Sequence, residues 1–314
     1  MSQEVIMIMG IQGSGKSVLS QQYIDKGYVY LNRDTIGCSM DELEGLAMVE
    51  ITSGRNVVLD NTYPTIESRK NYIKLANIQK APIKCIWKNT SIEEAQVNVA
   101  RRIINKIGRL PDPNEMKKHK DPAIVPPVAL FTYRKIFEEP TLAEGFASIE
   151  VVEFKREHNP TYTNKALILD YDGTLRKTKS GAEYPVDPAD IEVLPGRTEK
   201  LKEYAAQGYR LLGVSNQSGV AKGLLTMETA KACFEQTNKL LGLDIDYTFC
   251  PHQSAPISCY CRKPMPGRGV EFIEKYKLDP RECVMIGDLK TDETFAKRSG
   301  FRYFNEAEFF AVEV

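Results

Sequence analysis

The stretch Lys165–Thr174, KALILDYDGT, constrains this chain more than any other. Ala166 to Leu169 is an apolar run with no polar alternation, the pattern of a strand buried on both faces of a parallel sheet. It stops at Asp170 and Asp172, two carboxylates one residue apart. Open α/β sheets place their ligands at the carboxyl ends of such strands, so chemistry is expected there.

A second run of the same kind, Val5 to Met9, ends in Gly10-Ile11-Gln12-Gly13-Ser14-Gly15-Lys16-Ser17, a full match to the phosphate-loop pattern G-x-x-x-x-G-K-[ST]. In that pattern glycines let backbone N–H groups close around phosphates, the lysine reaches the terminal ones and the hydroxyl holds Mg²⁺. Gly10, Gly13, Ser14, Gly15, Lys16 and Ser17 are therefore the expected binding residues for a nucleoside triphosphate such as ATP. A plain glycine-rich turn is the other reading of the pattern alone.

Three further strand ends in the first half carry polar groups. Tyr28–Leu31 delivers Asn32-Arg33-Asp34-Thr35, and a kinase acting on a hydroxyl needs a carboxylate within reach of it, for which Asp34 is the candidate. An Asp after a strand also fits a helix cap. Val57–Leu59 ends in Asp60-Asn61-Thr62, candidates for contact with substrate or with Mg²⁺-bound water, although Asp60 equally suits a turn. Ile83–Trp87 leads to Ser91 and Glu94, a capping box opening the helix that carries Arg101 and Arg102. The Pro- and Lys-rich segment 106–120 then reads as a mobile surface loop, and arginines entering it suit a lid over nucleotide phosphates, or simply a solvated charged face.

Lys155–Asn164 is polar, contains Pro160 and has no apolar periodicity, which makes it the best boundary in the chain. The expected organisation is a domain over 1–157, a linker over 158–164 and a domain over 165–314, each an α/β, three-layer structure around a parallel sheet.

Beyond the linker, Leu211–Val214 is followed by Ser215-Asn216, a hydroxyl and an amide placed to meet a phosphoryl group. Lys263 can supply a point charge to it, and Val284–Gly287 leads to Asp288, which with Asp292 suits Mg²⁺. With Asp170 as attacking carboxylate and Asp172 as proton donor, this is a phosphatase constellation. A pair of turn aspartates is the bland alternative. Cys250, His252, Cys259 and Cys261 form C-x-H and C-x-C pairs, a set that suits a closed, structural Zn²⁺ site.

Composition narrows the partners. Lys plus Arg and Asp plus Glu are both 42, so no overall basic field draws the protein along a duplex, while recognition of a strand end stays open. Seven cysteines form an odd set with no secretory signal, which favours thiols or metal ligands over disulfides. No run reaches membrane-spanning length, and a cytoplasmic protein, nuclear in a eukaryote, is expected.

The segments GIQGSGKS, GYVYLNRDT, VVLDNT and YRKIFEEPTLAEGF, in that order, resemble the kinase domain of polynucleotide kinase-phosphatases, especially the animal DNA-repair type. The resemblance covers about residues 4 to 155. It implies a 5′-hydroxyl polynucleotide kinase with Asp34 as general base and Arg101 as lid arginine, Arg102 fitting nearly as well. Gly37 stands where the phage kinases carry an arginine three residues after the base, a departure that bears on substrate preference.

Asp170-Tyr171-Asp172-Gly173-Thr174 matches D-x-D-G-T, the signature of haloacid-dehalogenase-type (HAD) phosphatases. LPGRTEKLKEYAAQGYRLLGVSNQSGVAKG and CPHQSAPISCYCRKPMPG are similar to the histidinol-phosphate and heptose-bisphosphate phosphatases, over about residues 165 to 305. That likeness implies Asp170 as nucleophile, Asp172 as acid/base, Ser215 and Lys263 as phosphate ligands, Asp288 on Mg²⁺ with the Asp172 carbonyl assisting, and a zinc loop. Together the two halves imply a bifunctional enzyme that phosphorylates a 5′-hydroxyl and removes a 3′-phosphate at DNA or RNA ends, with a ligase as downstream partner. A kinase and phosphatase pair for small phosphorylated metabolites, and a nucleotide-binding scaffold without catalysis, are the alternatives.

Overall fold

The computed structural model describes residues 3–311; residues 1–2 and 312–314, at the outer ends of the two expected domains, lie outside them. The chain forms two compact units. One comprises the residues up to Val99 together with Lys120–Arg156, the other Ala100–His119 together with the chain from Glu157 onward.

The first unit is built on an all-parallel sheet of β1 (Val5–Met9), β2 (Val29–Leu31), β3 (Val57–Asp60), β4 (Ile83–Asn89) and β5 (Ser148–Glu153), in the order β2-β3-β1-β4-β5. Every residue of β1 is buried. Val5, Met7 and Met9 join the core on one face, and Ile6 and Ile8 join the core on the other. Complete burial is worth about 1.5–3 kcal/mol for each such side chain, which is why the strand tolerates no polar alternation. β1 pairs with β3 on one side and β4 on the other, so the crevice at its carboxyl end is a topological switch point, and the glycine loop begins there.

The helix Ile92–Ile107 opens at Ser91, whose hydroxyl accepts from the Glu94 N–H at 3.2 Å. The Glu94 carboxylate accepts from Arg156 Nε at 2.8 Å instead of closing a capping box. The segment expected as a mobile loop contains a helix, Pro113–Lys118, capped by Asp112 and anchored by buried Met116. Pro113 at the first helical turn and the Asp112 cap are local signals that its lysines obscured.

In the second unit, β6 (Ala166–Leu169) is the centre of a second parallel sheet. Around it, β7 (Arg176–Thr178) and β8 (Ile191–Val193) form an antiparallel pair, and β9 (Arg210–Asn216), β10 (Asp246–Cys250), β11 (Val284–Gly287) and β12 (Arg302–Asn305) complete the sheet in the order β10-β9-β6-β11-β12. Leu169 pairs with Gly213 of β9 and with Ile286 of β11. That register gathers Asp170, Ser215 and Asp288 at one carboxyl edge. Leu167 and Leu169 belong to the core on one face, Ala166 and Ile168 to the core on the other. Among the described residues no helix is long and apolar enough to cross a membrane.

Candidate active sites

The phosphate loop is shaped by glycines that no other residue replaces. Gly10 has φ 148°, and a Cβ there would lie 2.6 Å from the Lys88 carbonyl oxygen; at Gly13, φ 77°, it would lie 2.8 Å from Val99 Cγ2. The helix Lys16–Ile24 starts at Gly15 with no side-chain cap, which leaves its first N–H groups for an anion. Lys16 Nζ donates to the carbonyls of Gly10 (2.8 Å) and Ile11 (3.0 Å), bent back over the loop it serves.

Asp60, buried at the end of β3, accepts from Ser20 Oγ at 2.8 Å and Tyr30 Oη at 3.0 Å. Burial, reinforced by Asp60, pushes the Tyr30 phenol up to about 12, so it stays a donor. Asn32 donates to the Asp60 carbonyl and caps the short helix Arg33–Ile36, accepting from the Thr35 N–H. Asp34 stands exposed on that helix, 3.1 Å from Arg33 Nη2. Asn61 Oδ1 accepts from the Thr62 N–H, and the Thr62 carbonyl accepts from the Gly10 N–H. The structure thus ties Asp60, Asn61 and Thr62 to the phosphate loop and to the segment carrying Asp34. Arg101 falls in the second unit, where its Nε donates to Glu274 Oε1 at 2.9 Å.

The second centre is made of buried charge. Lys263 Nζ lies 2.7 Å from Asp170 Oδ1 and 2.7 Å from Asp292 Oδ1, and also donates to the Val214 carbonyl at 3.0 Å. All three side chains are buried. Burial works against the Lys263 ammonium, but the two carboxylates outweigh it and hold its pKa above the usual value. Burial likewise raises the Asp170 carboxyl, against the pull of Lys263 and reinforced by Asp292 and Asp172. Asp288 is also raised, chiefly by burial.

Ligand atoms of Asp170, Asp288 and Asp292 all lie within 4.8 Å of one another. That spread fits an octahedral ion with oxygen ligands at about 2.1 Å, and three carboxylates against one lysine leave a charge deficit that a divalent cation relieves. Gly173 holds φ 84°, which side chains rarely adopt, and a Cβ there would lie 2.5 Å from Asp288 Oδ2 and displace that carboxylate.

The Asp172 carboxylate is not among the gathered groups. Arg176 Nε donates to its Oδ1 and Gln217 Nε2 to its Oδ2, each at 2.7 Å. Gln217 Nε2 also donates to Ser215 Oγ at 3.0 Å. Asn216 spends its amide on Lys263, donating to its carbonyl at 3.0 Å and accepting from its N–H at 2.9 Å, which fixes the lysine's backbone. Arg176 and Gln217 escape a reading of the sequence. Arg176 follows the D-x-D-G-T pattern as an ordinary charged residue, and its partners Cys233 and Thr237 come 57 and 61 residues later.

Cys250, His252, Cys259 and Cys261 form a third cluster with ligand atoms within 4.8 Å of one another. Cys250 Sγ and Cys259 Sγ are 3.7 Å apart, and His252 Nδ1 is 3.2 Å from Cys261 Sγ and 3.5 Å from Cys250 Sγ. A tetrahedron with metal–sulfur bonds of about 2.3 Å has edges of about 3.8 Å, so the donors are spaced as Zn²⁺ ligands through Nδ1.

Comparison with known proteins bears on both units. Residues 165–310 match the family described as polynucleotide kinase 3 phosphatase, and residues 38–112 match an AAA domain. Over 154 residues the chain is 33% identical to the bifunctional polynucleotide phosphatase/kinase of Schizosaccharomyces pombe, a match covering 49% of this chain and 34% of that protein. The chain therefore spans about a third of that relative's length. It is also 33% identical over 138 residues to the D-glycero-beta-D-manno-heptose-1,7-bisphosphate 7-phosphatase of Haemophilus influenzae, covering 41% of this chain and 73% of that protein. Among solved structures, the D,D-heptose 1.7-bisphosphate phosphatase from B. bronchiseptica complexed with magnesium and phosphate is 25% identical, with a TM-score of 0.40, over 45% of this chain and 79% of that one.

Proposed function

Residues 165–310 match the polynucleotide kinase 3 phosphatase family, and on that premise we propose that the chain heals broken nucleic-acid ends. Residues 1–157 would act as an ATP-dependent 5′-hydroxyl kinase and residues 165–314 as a Mg²⁺-dependent 3′-phosphatase, joined by 158–164. The observation that carries this reading is the presence, in one chain, of a glycine phosphate loop followed by Asp34 and of a buried Asp170–Lys263 centre. A kinase and a phosphatase working on the same phosphate would only consume nucleotide. Acting at the two sides of a break, they leave ends that a ligase can join.

In the phosphatase step, an Asp170 oxygen attacks phosphorus while the bond to the 3′-oxygen breaks, and Asp172 gives that oxygen its proton. Water then attacks the aspartyl phosphate, Asp172 takes the water's proton, and the Asp170–phosphorus bond breaks to release phosphate. Ser215 and Lys263 hold the phosphoryl oxygens. Asp170, Asp288 and Asp292, with the Asp172 carbonyl, would hold Mg²⁺, which supplies neutralising charge.

In the kinase step, Asp34 takes the proton of the 5′-hydroxyl as it attacks the terminal phosphate cradled by Lys16 and the loop amides. Ser17 would hold the Mg²⁺ of the nucleotide. The lid role of Arg101 requires it to exchange Glu274 for a phosphate. Cys250, His252, Cys259 and Cys261 would hold a structural Zn²⁺.

A second reading, a phosphatase for a small sugar phosphate, draws on the heptose-bisphosphate relatives and the four-ligand cluster. The discriminating experiment compares kcat/KM of the purified chain on a 3′-phosphorylated oligonucleotide and on heptose 1,7-bisphosphate. Preference for the oligonucleotide, with ATP-dependent labelling of 5′-hydroxyl ends, is expected. Preference for the sugar with no 5′ labelling would replace the proposal with the second reading.

A further inference from the structure

Arg176 is one of the largest fully buried side chains in the molecule, 1% exposed. Its Nη1 donates to the Cys233 carbonyl at 2.8 Å and to Thr237 Oγ1 at 2.9 Å, and the guanidinium lies 4.8 Å from the Phe234 ring centre and 5.3 Å from that of Tyr171. A buried guanidinium needs a counter-charge, and the carboxylate paired with it is that of Asp172. The other Asp172 oxygen rests on Gln217, itself buried and shared with Ser215.

We propose that Arg176 and Gln217 are positioning residues that divide the work of Asp172 between its two oxygens. Arg176, held by four partners of its own, fixes Oδ1. Gln217, a neutral donor reaching both Oδ2 and Ser215 Oγ, leaves Oδ2 as the oxygen through which a proton is exchanged. A phosphoryl group arriving at Ser215 competes for the Gln217 amide, and Oδ2 is then released toward the leaving oxygen. In the first half-reaction the proton on Oδ2 passes to the departing 3′-oxygen as the phosphorus–oxygen ester bond breaks. In the second, Oδ2 takes a proton from the water that attacks phosphorus, and the Asp170–phosphorus bond breaks.

This inference rests on the phosphatase reading above, and p-nitrophenyl phosphate separates the two. Its leaving group needs no proton, so a misplaced Asp172 spares formation of the aspartyl phosphate and slows only its hydrolysis. In Arg176→Lys, with Mg²⁺ present, we expect a burst of one p-nitrophenolate per enzyme followed by steady turnover at least 50-fold below the parent. On a 3′-phosphorylated oligonucleotide, where both steps need the proton, the same variant should show no burst and a fall in kcat with KM within threefold of the parent. Gln217→Leu, which leaves the buried ion pair intact, should repeat this pattern to a smaller extent.

The burst amplitude counts competent sites, so a variant that folds poorly loses amplitude and its result passes to Gln217→Leu. Parent-like turnover of both substrates by both variants would overturn the inference, as would equal losses on the two substrates without a burst at full amplitude in the competent fraction. A parent protein that releases phosphate from neither compound would instead sink the phosphatase reading itself.

Discussion

Around Lys263 two carboxylates have been taken out of water and paired with one ammonium, whereas around Lys16 the phosphate cradle is backbone. The first arrangement couples activity to stability, because Asp170 and Asp292 are buried against a single ammonium. The second leaves activity to conformation. Gly10 and Gly13 hold backbone shapes that other residues cannot adopt, and the helix that follows begins without a side-chain cap. Two centres that both meet phosphate can therefore be lost in different ways.

The sharpest test of that contrast removes each lysine. Lys263→Met should abolish phosphate release, at least 1,000-fold, and cost the second unit about 3–5 kcal/mol by leaving buried carboxylates unpaired. Lys16→Met should abolish phosphate transfer to a similar degree, while thermal unfolding followed by calorimetry stays within about 1 kcal/mol of the parent. Equal destabilisation by the two changes would dissolve the comparison.

Next in size come the carboxylates. Asp170→Asn should remove only dephosphorylation and Asp34→Asn only phosphorylation, each by about 10²–10⁴-fold, as expected for loss of the nucleophile or of a general base. Loss of both activities from either substitution would mean that the centres are not independent.

Metal removal is a step smaller for activity and larger for folding. Treatment with a strong zinc chelator, or Cys259→Ser, should release one zinc per chain and lower the unfolding temperature of the second unit by several degrees. ATP binding, measured by calorimetry, should persist. Retention of full stability at zero zinc content would remove the structural role from the cysteine cluster.

The two centres also part at their glycines, and the smallest effect belongs to Gly15. Gly173→Ala forces a Cβ to 2.5 Å from Asp288 Oδ2 and should reduce phosphate release about 100-fold, whereas Gly15→Ala meets no atom within 4 Å and carries only the strain of its φ of 90°. Kinase activity of Gly15→Ala within about tenfold of the parent is the expected result.

What could be read from the sequence was whatever is local and buried. β1 and β6 are uninterrupted apolar runs because both faces are covered, and their carboxyl ends announce the two centres. β5, with the sequence SIEVVE, escaped notice because an edge strand pairs on one side only and stays largely exposed. The helix Pro113–Lys118 was hidden behind lysines that suggested a loop, although Asp112 and Pro113 marked its start. The Asp172 clamp was illegible for a different reason. Nothing near Arg176 in sequence shows that residues 233–237 converge on it, or that Gln217, just past the end of β9, reaches Asp172, since only the packing of β7, β9 and the helix Met227–Leu241 brings them there.

The most direct measurement of the central claim uses one substrate carrying both lesions: a nicked duplex with a 3′-phosphate on one side and a 5′-hydroxyl on the other, incubated with the full chain, Mg²⁺ and γ-labelled ATP. Uptake of label at the 5′ end and release of phosphate from the 3′ end, each abolished by its own aspartate substitution, is the result expected. An unaltered nick, from a preparation that turns over small phosphorylated sugars, would contradict it.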